Sequence, residues 1–426
     1  MKDKLIIGYD LGNQFSQISY CAYDSEVPET LSIVTGGENY NIPTMLCKRQ
    51  GVNQWFYGKD AMKHAETEDG ILVQDLLVKA RNGEMVVIED EEFDSVALLT
   101  LFVKRSLTLL STISQSAYIH AIMITCEVLD NTMVDILSKI VAGLGLKTKN
   151  VCFQGHVESF YYYTLYQPEE LWIRQVLVCD YAFDFIKVYR LECNRRTTPV
   201  VAFVDEEEYP FIQIAEMPKE ESLKKNITEQ MDSKFLSLLQ EVCEGRMISS
   251  AYLIGEGFKN DWMKESLRYL CRGKRVFQGN NLYSKGACLG MREKLFSSEK
   301  GKSHVFLGNE KLKANIGMKV LRQGEDSYYA LMDAGVSWFE AHCELEFILD
   351  EGNSFSIVIT PLNGRDIKAA MVTLEGLPVR MGGASRLYLE MKMTSENTIQ
   401  LKVEDLGFGE LFPSGHQKWT ESFEVI

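Results

Sequence analysis

The stretch that decides the fold lies at residues 5–20 and reads LIIGYDLGNQFSQISY. Its first half is an apolar run of strand length that ends at Asp10, and its second half alternates as a half-buried strand does. Gly12 lies in the turn between them, where a residue without Cβ lets backbone approach a ligand closely. The pattern predicts a hairpin with a carboxylate at the tip of its first strand. It fits a phosphate-and-metal loop, and it equally fits an ordinary glycine turn.

Length, charge and cysteine usage limit the possible classes. The chain has 426 residues, enough for two or three domains. Its 45 basic and 60 acidic residues give a net charge of −15, which argues against nucleic acid or an anionic membrane as partner. No apolar run in the sequence suggests a membrane span. The 10 cysteines include no CxxC pair and the 6 histidines include no HExxH motif, so we expect neither a zinc site nor a redox site of these types. Because the cysteines are scattered, we expect them to be reduced and the protein to be cytoplasmic.

The first 300 residues alternate between strand-like and helix-like runs. Residues 121–125 form a continuous apolar run, Asp130 caps the following helix, and residues 151–153 begin another strand. This order predicts a β-α-β unit and hence a parallel sheet. Residues 176–180, VLVCD, repeat the opening pattern and end at Asp180. Two openings of strand, aspartate, turn and strand suggest a duplicated architecture.

Other local patterns predict further elements of this part. We expect a strand at 31–34, a helix at 228–244 that starts with a capping box at Asn226 and Glu229, and a solvated acidic turn at 205–208. After an apolar strand, Gly255 and Gly257 precede a predicted helix capped near Asn260. Such a unit points backbone N–H groups and a positive helix end at whatever lies above it.

From about residue 301 the pattern changes to short alternating runs between Gly, Asn and Asp. Such runs without a helix-length pattern predict an all-β domain and favour a sandwich. Residues 297–303 are predicted to be a linker, and residues 305–307 the first strand of the sandwich. The predicted domains are therefore 1–298 and 299–426.

These features, taken in order, resemble the actin/Hsp70/sugar-kinase ATPase superfamily. The similarity is carried by Asp10-Leu11-Gly12, the strand and helix at 121–146, Asp180, and LIGEG at 253–257. The resemblance implies an α/β, two-lobed actin/Hsp70-type ATPase domain with ribonuclease-H-like halves. Lobe I would span about 1–175 and lobe II about 176–298.

Within that superfamily the chain looks most like an Hsp70. NIPTML at 41–46 and YGKDA at 57–61 are similar to early Hsp70 segments. LEGLP at 374–378, followed by Gly382 and Gly383, and residues 390–409 are similar to the Hsp70 substrate-binding domain. The resemblance implies a substrate-binding-like β-sandwich and a protein or peptide client. No helical lid follows the sandwich in this sequence, so we expect a lidless form with fast peptide exchange.

The resemblance also implies a site for ATP or ADP with Mg²⁺. It assigns nucleotide binding to Asp10, Gly12, Asn13, Gln14, Asp180, Gly255, Glu256 and Gly257, and Mg²⁺ binding through water to Asp10 and Asp180. Lys79 is a candidate phosphate contact, and His156 is more simply interpreted as structural.

Several departures from the family weaken that site. The second phosphate loop, DLGGGTFD in Hsp70s, is DYAFD at 180–184, where Tyr181 and Phe183 are expected to crowd a phosphate. QGH at 154–156 replaces the segment with the catalytic glutamate, and Glu158 is out of register. Hydrolysis needs metal, phosphates and base held together, so we expect little or none.

Three functions therefore stay open. The first is a divergent, chaperone-type Hsp70-like protein that binds ATP or ADP weakly and presents its β-sandwich to a protein partner. The second is a pseudo-ATPase scaffold that binds no nucleotide. The third is a small-molecule kinase, although sugar kinases lack the sandwich.

Overall fold

The protein has a mixed α/β fold with several sheets and about 29% helix and 40% strand. The structure is a computed structural model that describes residues 4–34, 36–67, 70–182, 184–213, 220–279, 281–362, 366–380 and 383–425. The chain divides into two compact units, unit 1 (Met1–Phe306) and unit 2 (Leu307–Ile426). The division falls a little beyond residue 298, where the sequence suggested a boundary.

The first part of unit 1 is built on a six-stranded sheet. Its elements, in chain order, are β1 (Lys4–Asp10), β2 (Phe15–Ala22), β3 (Glu29–Thr30), β4 (Ile42–Pro43), β5 (Leu46–Arg49), β6 (Trp55–Tyr57), α1 (Gly58–Glu66), β7 (Gly70–Val73), α2 (Leu76–Asn82), β8 (Met85–Ile88), β9 (Glu91–Asp94), α3 (Ser95–Ser106), β10 (Tyr118–Cys126), α4 (Asn131–Leu144), β11 (Val151–Gly155) and α5 (His156–Leu165). The strand order is β11-β10-β1-β2-β3, and β4 pairs with β2. Strand β1 pairs antiparallel with β2 and parallel with β10, which pairs parallel with β11. The predicted hairpin and β-α-β unit are confirmed.

The second part of unit 1 repeats this plan. Its elements are β12 (Gln175–Tyr181), β13 (Phe185–Asn194), β14 (Val200–Pro210), α6 (Glu221–Cys243), β15 (Ile248–Ile254), α7 (Glu265–Leu270), β16 (Arg275–Gln278), α8 (Leu282–Phe296), α9 (Glu299–Ser303) and β17 (His304–Phe306). The order is β16-β15-β12-β13-β14-β17. Again the first strand of a hairpin pairs in parallel with a later strand, and that strand pairs in parallel with the next. Asp10 and Asp180 therefore occupy matching positions near the ends of β1 and β12.

Helix α8 lies against the backbone of the first sheet and of α5. A Cβ added to Gly8 would lie 2.1 Å from the carbonyl oxygen of Ser284, and one added to Gly286 would lie 1.9 Å from that of Ser159. These approaches are possible because the start of α8 is rich in small residues, as its sequence predicts. Helix α8 and helix α5 are thereby fixed close to β1.

Unit 2 consists of two four-stranded antiparallel sheets. Its strands are β18 (Ala314–Arg322), β19 (Glu325–Met332), β20 (His342–Leu349), β21 (Ser354–Pro361), β22 (Lys368–Thr373), β23 (Ser385–Met393), β24 (Thr398–Asp405) and β25 (Lys418–Glu424). The orders are β19-β18-β21-β22 and β20-β23-β24-β25. Side chains of β21 alternate between partly exposed and buried along the whole strand, as expected when one face covers a core. The predicted alternating strands of this part are confirmed.

Three local predictions in unit 1 are wrong, two of them because residues distant in the chain determine where the element lies. The strand near residue 31 is Glu29–Thr30 instead, paired with β2. Helix α6 begins at Glu221, so Asn226 lies inside it and caps nothing. No helix begins near Asn260: the next one is α7, whose first N–H groups are capped by Asp232 of α6 at 2.8–3.1 Å. A capping group supplied by another helix leaves no signal in the local sequence.

Two segments predicted as loops are regular structure. The acidic run 205–208 lies in β14, where Arg190 of β13 donates two hydrogen bonds to Glu207, at 2.5 and 3.1 Å. Cross-strand ion pairs of this kind allow acidic residues in a strand. The expected linker 297–303 contains α9, and β17 pairs in parallel with β14 inside unit 1. Residues 305–306 are therefore not the first strand of the C-terminal unit.

The helical stretch Ser95–Thr112 passes a test for membrane-spanning length and apolar composition. It has 18 residues with a mean hydropathy of 1.3, and 44% of it is buried within the protein. Leu99 and Phe102 are fully buried core residues. A core helix of a water-soluble domain passes the same test, so the stretch is weak evidence, and the absence of a membrane partner stays a prediction.

Candidate functional site

The two strand-end aspartates of unit 1 belong to one polar cluster. We define the four-residue cluster as Asp10, His156, Asp180 and Tyr283. Strands β1 and β12 contribute the carboxylates, while α5 contributes His156 as its first residue and α8 contributes Tyr283. The repeated strand plan and the close packing of α8 bring these four side chains together.

The four side chains form a continuous chain of contacts. His156 Nε2 lies 2.7 Å from Asp10 Oδ1, and the two side chains are each only 12% exposed. The imidazole stacks on the Tyr283 ring with centroids 3.8 Å apart and an angle of 7° between the planes. The Tyr283 hydroxyl donates a hydrogen bond to Asp180 Oδ2 at 2.9 Å. Each aspartate thus already has a partner from the chain itself.

The electrostatics of the cluster favour an imidazolium. Burial alone lowers the pKa of His156, but the charge and hydrogen bond of Asp10, followed by the charges of Glu127 and Asp180, outweigh it and raise the pKa. Burial raises the pKa of Asp180 against the hydrogen bond from Tyr283 and the charge of His156. Burial and the nearby Asp180 also hold the pKa of Tyr283 well above its usual value. The cluster therefore holds its own cation, beside two carboxylates.

Further polar links join the first and second parts of unit 1. Lys187 of β13 forms an ion pair with Glu127, which follows β10, and lies 3.6 Å from Glu206. Asn41 donates a hydrogen bond to Glu256 and accepts one from Gln17 at 2.6 Å. The Lys187–Glu127 and Asn41–Glu256 contacts thus join the two parts of unit 1 in addition to the cluster.

The other predicted residues of the first hairpin make contacts within the fold. A Cβ on Gly12 would lie 2.4 Å from the Phe15 carbonyl oxygen, so the turn itself needs glycine. Asn13 donates to Asp75 at 2.9 Å and accepts from the Val78 N–H at 3.3 Å, at the start of α2. Gln14 is exposed, and its carbonyl oxygen accepts from the Thr44 N–H at 2.9 Å. The structure does not bring Asn13 or Gln14 to the four-residue cluster by any of these contacts.

The predicted adenosine-side glycines make room for Tyr181. A Cβ on Gly257 would lie 2.2 Å from the Tyr181 ring, and one on Gly255 would lie 2.3 Å from the Tyr181 carbonyl oxygen and 2.9 Å from Asp180 Oδ1. Gly255 also has a φ of 97°, which favours glycine. Glu256, between them, bonds to Asn41 and lies 2.6 Å from Lys259.

The expectation that Tyr181 crowds a phosphate is wrong. Its ring is fully buried in the core beside Phe211, Phe258 and Trp262, and its hydroxyl donates to the carbonyl oxygen of Ile212. Neighbouring residues of a strand point to opposite faces, so Tyr181 points away from the side on which Asp180 contacts Tyr283. Phe183 and Gly382, which the sequence also singled out, lie outside the described residues.

Two groups of functional interest were missed by sequence reasoning. Tyr283 carries no motif, and its only signal is its place at the start of the small-residue helix α8. The Glu127–Lys187 ion pair joins residues from different parts of unit 1 and has no local signal. Within the described ranges, no group of three or more His, Cys, Asp or Glu side chains is arranged to hold a metal ion.

Unit 2 contains a small open pocket beside a buried ion pair. The cavity has a volume of about 310 Å³, and its lining includes Leu377, Val379 and Arg380. Arg380 donates two hydrogen bonds of 2.7 Å to Asp405, whose side chain is fully buried. The guanidinium, together with backbone N–H groups, lowers the pKa of Asp405 to about 2. The charge of Arg380 is thus already paired, and the fully exposed Val379 adds an apolar side chain to the lining.

The protein thus has two units and a mixed α/β fold. At two matching strand ends the carboxylates of Asp10 and Asp180 are each hydrogen-bonded by another side chain of the chain. A family of unknown function, DUF5716, matches residues 27–309 through the model for its C-terminal part. The chain therefore belongs to the DUF5716 family. A second model, for the domain of unknown function DUF8552, matches residues 311–425. No curated protein matches this chain.

Proposed function

We propose that the chain is a divergent actin/Hsp70-like pseudo-ATPase that works through protein contacts and neither binds nor hydrolyses ATP. In this proposal the two parts of unit 1 are the ribonuclease-H-like lobes, because five strands of each sheet follow the same order. The two sheets of unit 2 form an Hsp70-like substrate-binding sandwich for a protein or peptide partner in this proposal. A cytoplasmic location and the absence of nucleic-acid partners stay predictions from composition.

The proposal rests on one observation: Asp10 and Asp180, the two candidate carboxylates for Mg²⁺ binding through water, each already have a side chain as hydrogen-bond partner. Mg²⁺-ATP bound as in the superfamily needs Asp10 and Asp180 to face water-coordinated metal. Here Asp10 is paired with His156, and Asp180 accepts from Tyr283. Gly255 and Gly257 lie against Tyr181. The residues present do not fit the cofactor in that position, so no step of hydrolysis is assigned to them.

Binding of ATP or ADP without turnover is the second candidate function. It is favoured by the retention of Asp10 and Asp180 at equivalent strand ends, and by the glycines at 12 and 255. In this case nucleotide would have to displace His156 from Asp10, at a cost in binding free energy that makes the affinity weak. The small-molecule kinase has no observation in its favour.

Titration calorimetry with Mg²⁺-ATP and Mg²⁺-ADP distinguishes the two candidates. We expect no heat of binding for the wild-type chain at millimolar nucleotide. Nucleotide retained through purification, or a measurable affinity, would overturn the pseudo-ATPase and leave the second candidate. A parallel titration with a reduced and alkylated unfolded protein tests the client-binding part, which fails if no complex forms.

A matched pair of variants tests the role of the imidazolium. His156→Ala removes the cation that pairs with Asp10. This variant should therefore gain Mn²⁺ binding, seen as loss of the free Mn²⁺ electron paramagnetic resonance signal. Tyr283→Phe keeps the imidazolium and should not gain it. Wild-type protein that binds Mn²⁺ as tightly as His156→Ala would show that His156 does not block the site.

A further inference from the structure

Two thiols of unit 1 face each other across the contact between β2 and α8. Cys288 Sγ lies 3.5 Å from Cys21 Sγ, and the two side chains are 0% and 3% exposed. The two residues are 267 positions apart in the chain, so no short motif such as CxxC marks them. The packing of α8 on the first sheet is therefore what creates this pair of thiols.

The thiol pair is one of several contacts that run along β2 and α8. One helical turn before Cys288, the hydroxyl oxygens of Ser19 and Ser284 lie 2.8 Å apart in the buried interface. One turn after it, Arg292 Nε donates to the carbonyl oxygen of Ser25, in the turn that follows β2, at 2.9 Å. The contacts on both sides fix the helix relative to the strand, so the two sulfur atoms are held opposite each other.

The backbone of α8 is also held close to the hairpin of β1 and β2. Cys288 Sγ lies 3.4 Å from the carbonyl oxygen of Ile6, which is the partner of Cys21 in the register of the hairpin. A Cβ on Gly8 would lie 2.3 Å from the Cys288 backbone nitrogen. Since the S–S bond of a disulfide is about 2.0 Å long, the two sulfur atoms need to approach by only about 1.5 Å.

The two thiols differ in their chemistry. The hydrogen bond from Cys288, helped by the charge of Arg292, lowers the pKa of Cys21 despite its burial. Complete burial holds the pKa of Cys288 well above its usual value. The thiolate is the nucleophilic form of cysteine, and Cys21 is also the more exposed of the two side chains. Cys21 is therefore the sulfur that attacks first, and Cys288 is the resolving thiol.

We propose that Cys21 and Cys288 form a reversible disulfide on exposure to hydrogen peroxide. The Cys21 thiolate attacks one peroxide oxygen and forms a sulfenic acid, while the O–O bond breaks and the leaving hydroxide takes up the proton that Cys21 lost. Cys288 then attacks the sulfenic sulfur, the S–O bond breaks, and the hydroxyl leaves with the Cys288 proton as a second water. Each sulfur loses one electron, one peroxide is reduced to two waters, and a thiol reductant reverses the reaction.

The disulfide would join the two parts of unit 1 by a covalent bond. Strand β2 belongs to the first part, and α8 belongs to the second. Because the bond would close a long loop in the unfolded chain, oxidation should raise the thermal midpoint of unit 1 by about 5 °C. Disulfides of cytosolic proteins are typically transient and redox-sensing, as proposed here. The four-residue cluster takes no part in this chemistry, so the disulfide and the proposed function can fail separately.

Peptide mapping of the full chain after treatment with hydrogen peroxide tests the pair. The folded protein is oxidised, its remaining thiols are alkylated, and it is digested without reduction for mass spectrometry. We expect the peptides of Cys21 and Cys288 to be linked, and the link to be lost after dithiothreitol. Oxidation of the exposed Cys271 without any Cys21–Cys288 link would overturn the proposal.

Two serine variants separate the roles of the thiols. Without a resolving thiol, Cys21 in Cys288→Ser should proceed to the sulfinic acid, seen as a gain of two oxygen atoms, whereas Cys288 in Cys21→Ser should stay reduced. Both variants should lose the rise in thermal midpoint on oxidation. Cys152→Ser removes another cysteine packed against the same core cluster and is the matched control, which should form the disulfide as wild type does. A midpoint that still rises in either of the first two variants would overturn the proposal.

Discussion

At the end of β1, the His156 imidazole pairs with the Asp10 carboxylate and so limits what this carboxylate can bind. Sequence reasoning identified both strand-end aspartates, because an apolar run that ends in Asp before a turn is a local pattern. It did not assign His156 or Tyr283 to them, because those contacts depend on how α5 and α8 pack onto the sheets. The residues that carry the proposed function are therefore the ones with the weakest local signals.

The raised pKa of His156 makes the stability of unit 1 depend on pH. A histidine whose pKa is higher in the folded than in the unfolded state stabilises the fold fully below the unfolded value of about 6.5. That contribution is lost as pH rises through the folded-state pKa. The groups that face the imidazole are Asp10, Glu127, Asp180 and Tyr283.

Thermal unfolding measured from pH 6 upward checks this prediction. The midpoint of unit 1 should fall with rising pH in the wild-type chain, and His156→Gln should remove that part of the slope. A wild-type midpoint that rises over the same range would contradict the assignment of His156 as the cation of the cluster.

Helix α8 packs closely because two of its residues, Gly286 and Gly290, have no side chain. Its glycines at 286 and 290 both lie against α5 or β11, but the atoms they meet differ. Position 286 faces the backbone of Ser159, whereas position 290 faces the side chains of Gln154 and Tyr162, which can move. The two positions therefore form a matched pair.

We expect Gly286→Ala to destabilise unit 1 by about 2–3 kcal/mol, because a Cβ 1.9 Å from a carbonyl oxygen forces α8 off α5. Gly290→Ala should cost less than about 1 kcal/mol, since side-chain adjustment and the higher helix propensity of alanine offset the contact. Chemical denaturation of both variants measures the difference. Equal effects at the two positions would show that α8 is not held by this backbone contact.

Strands and helices with strong periodicity were predictable, and elements fixed by distant partners were not. Strands β18 to β24 follow from alternation alone, and β10 from its continuous apolar run. Helix α7 depends on capping by Asp232 from another helix, and β17 depends on pairing with β14. Neither interaction can be inferred from residues next to each other in the chain.

For the molecule as a whole, separate cores imply separate unfolding. Unit 1 and unit 2 are compact on their own, and the buried Arg380–Asp405 pair belongs entirely to unit 2. Removing one partner of a buried ion pair typically costs about 3–5 kcal/mol, because the other charge stays buried.

Scanning calorimetry of the full chain should show two transitions. Arg380→Ala should lower only one of them and Gly286→Ala only the other. The Arg380-dependent transition should also weaken as pH falls from about 4 towards the Asp405 pKa of about 2, since a carboxyl with a lowered pKa loses its contribution on protonation. A single transition shifted by both substitutions would show that the units unfold together.

The pairing of β17 with β14 has a practical consequence for anyone who expresses a fragment. A fragment cut at residue 298 would lack His304–Phe306. The edge of β14 would then be unpaired at its apolar residues Val200, Val201 and Ala202. It would also remove Phe306 from the core it shares with Tyr161 and Val178. We expect such a fragment to aggregate through this unpaired edge. Insolubility there would reflect where the gene was cut rather than an inability of the first unit to fold.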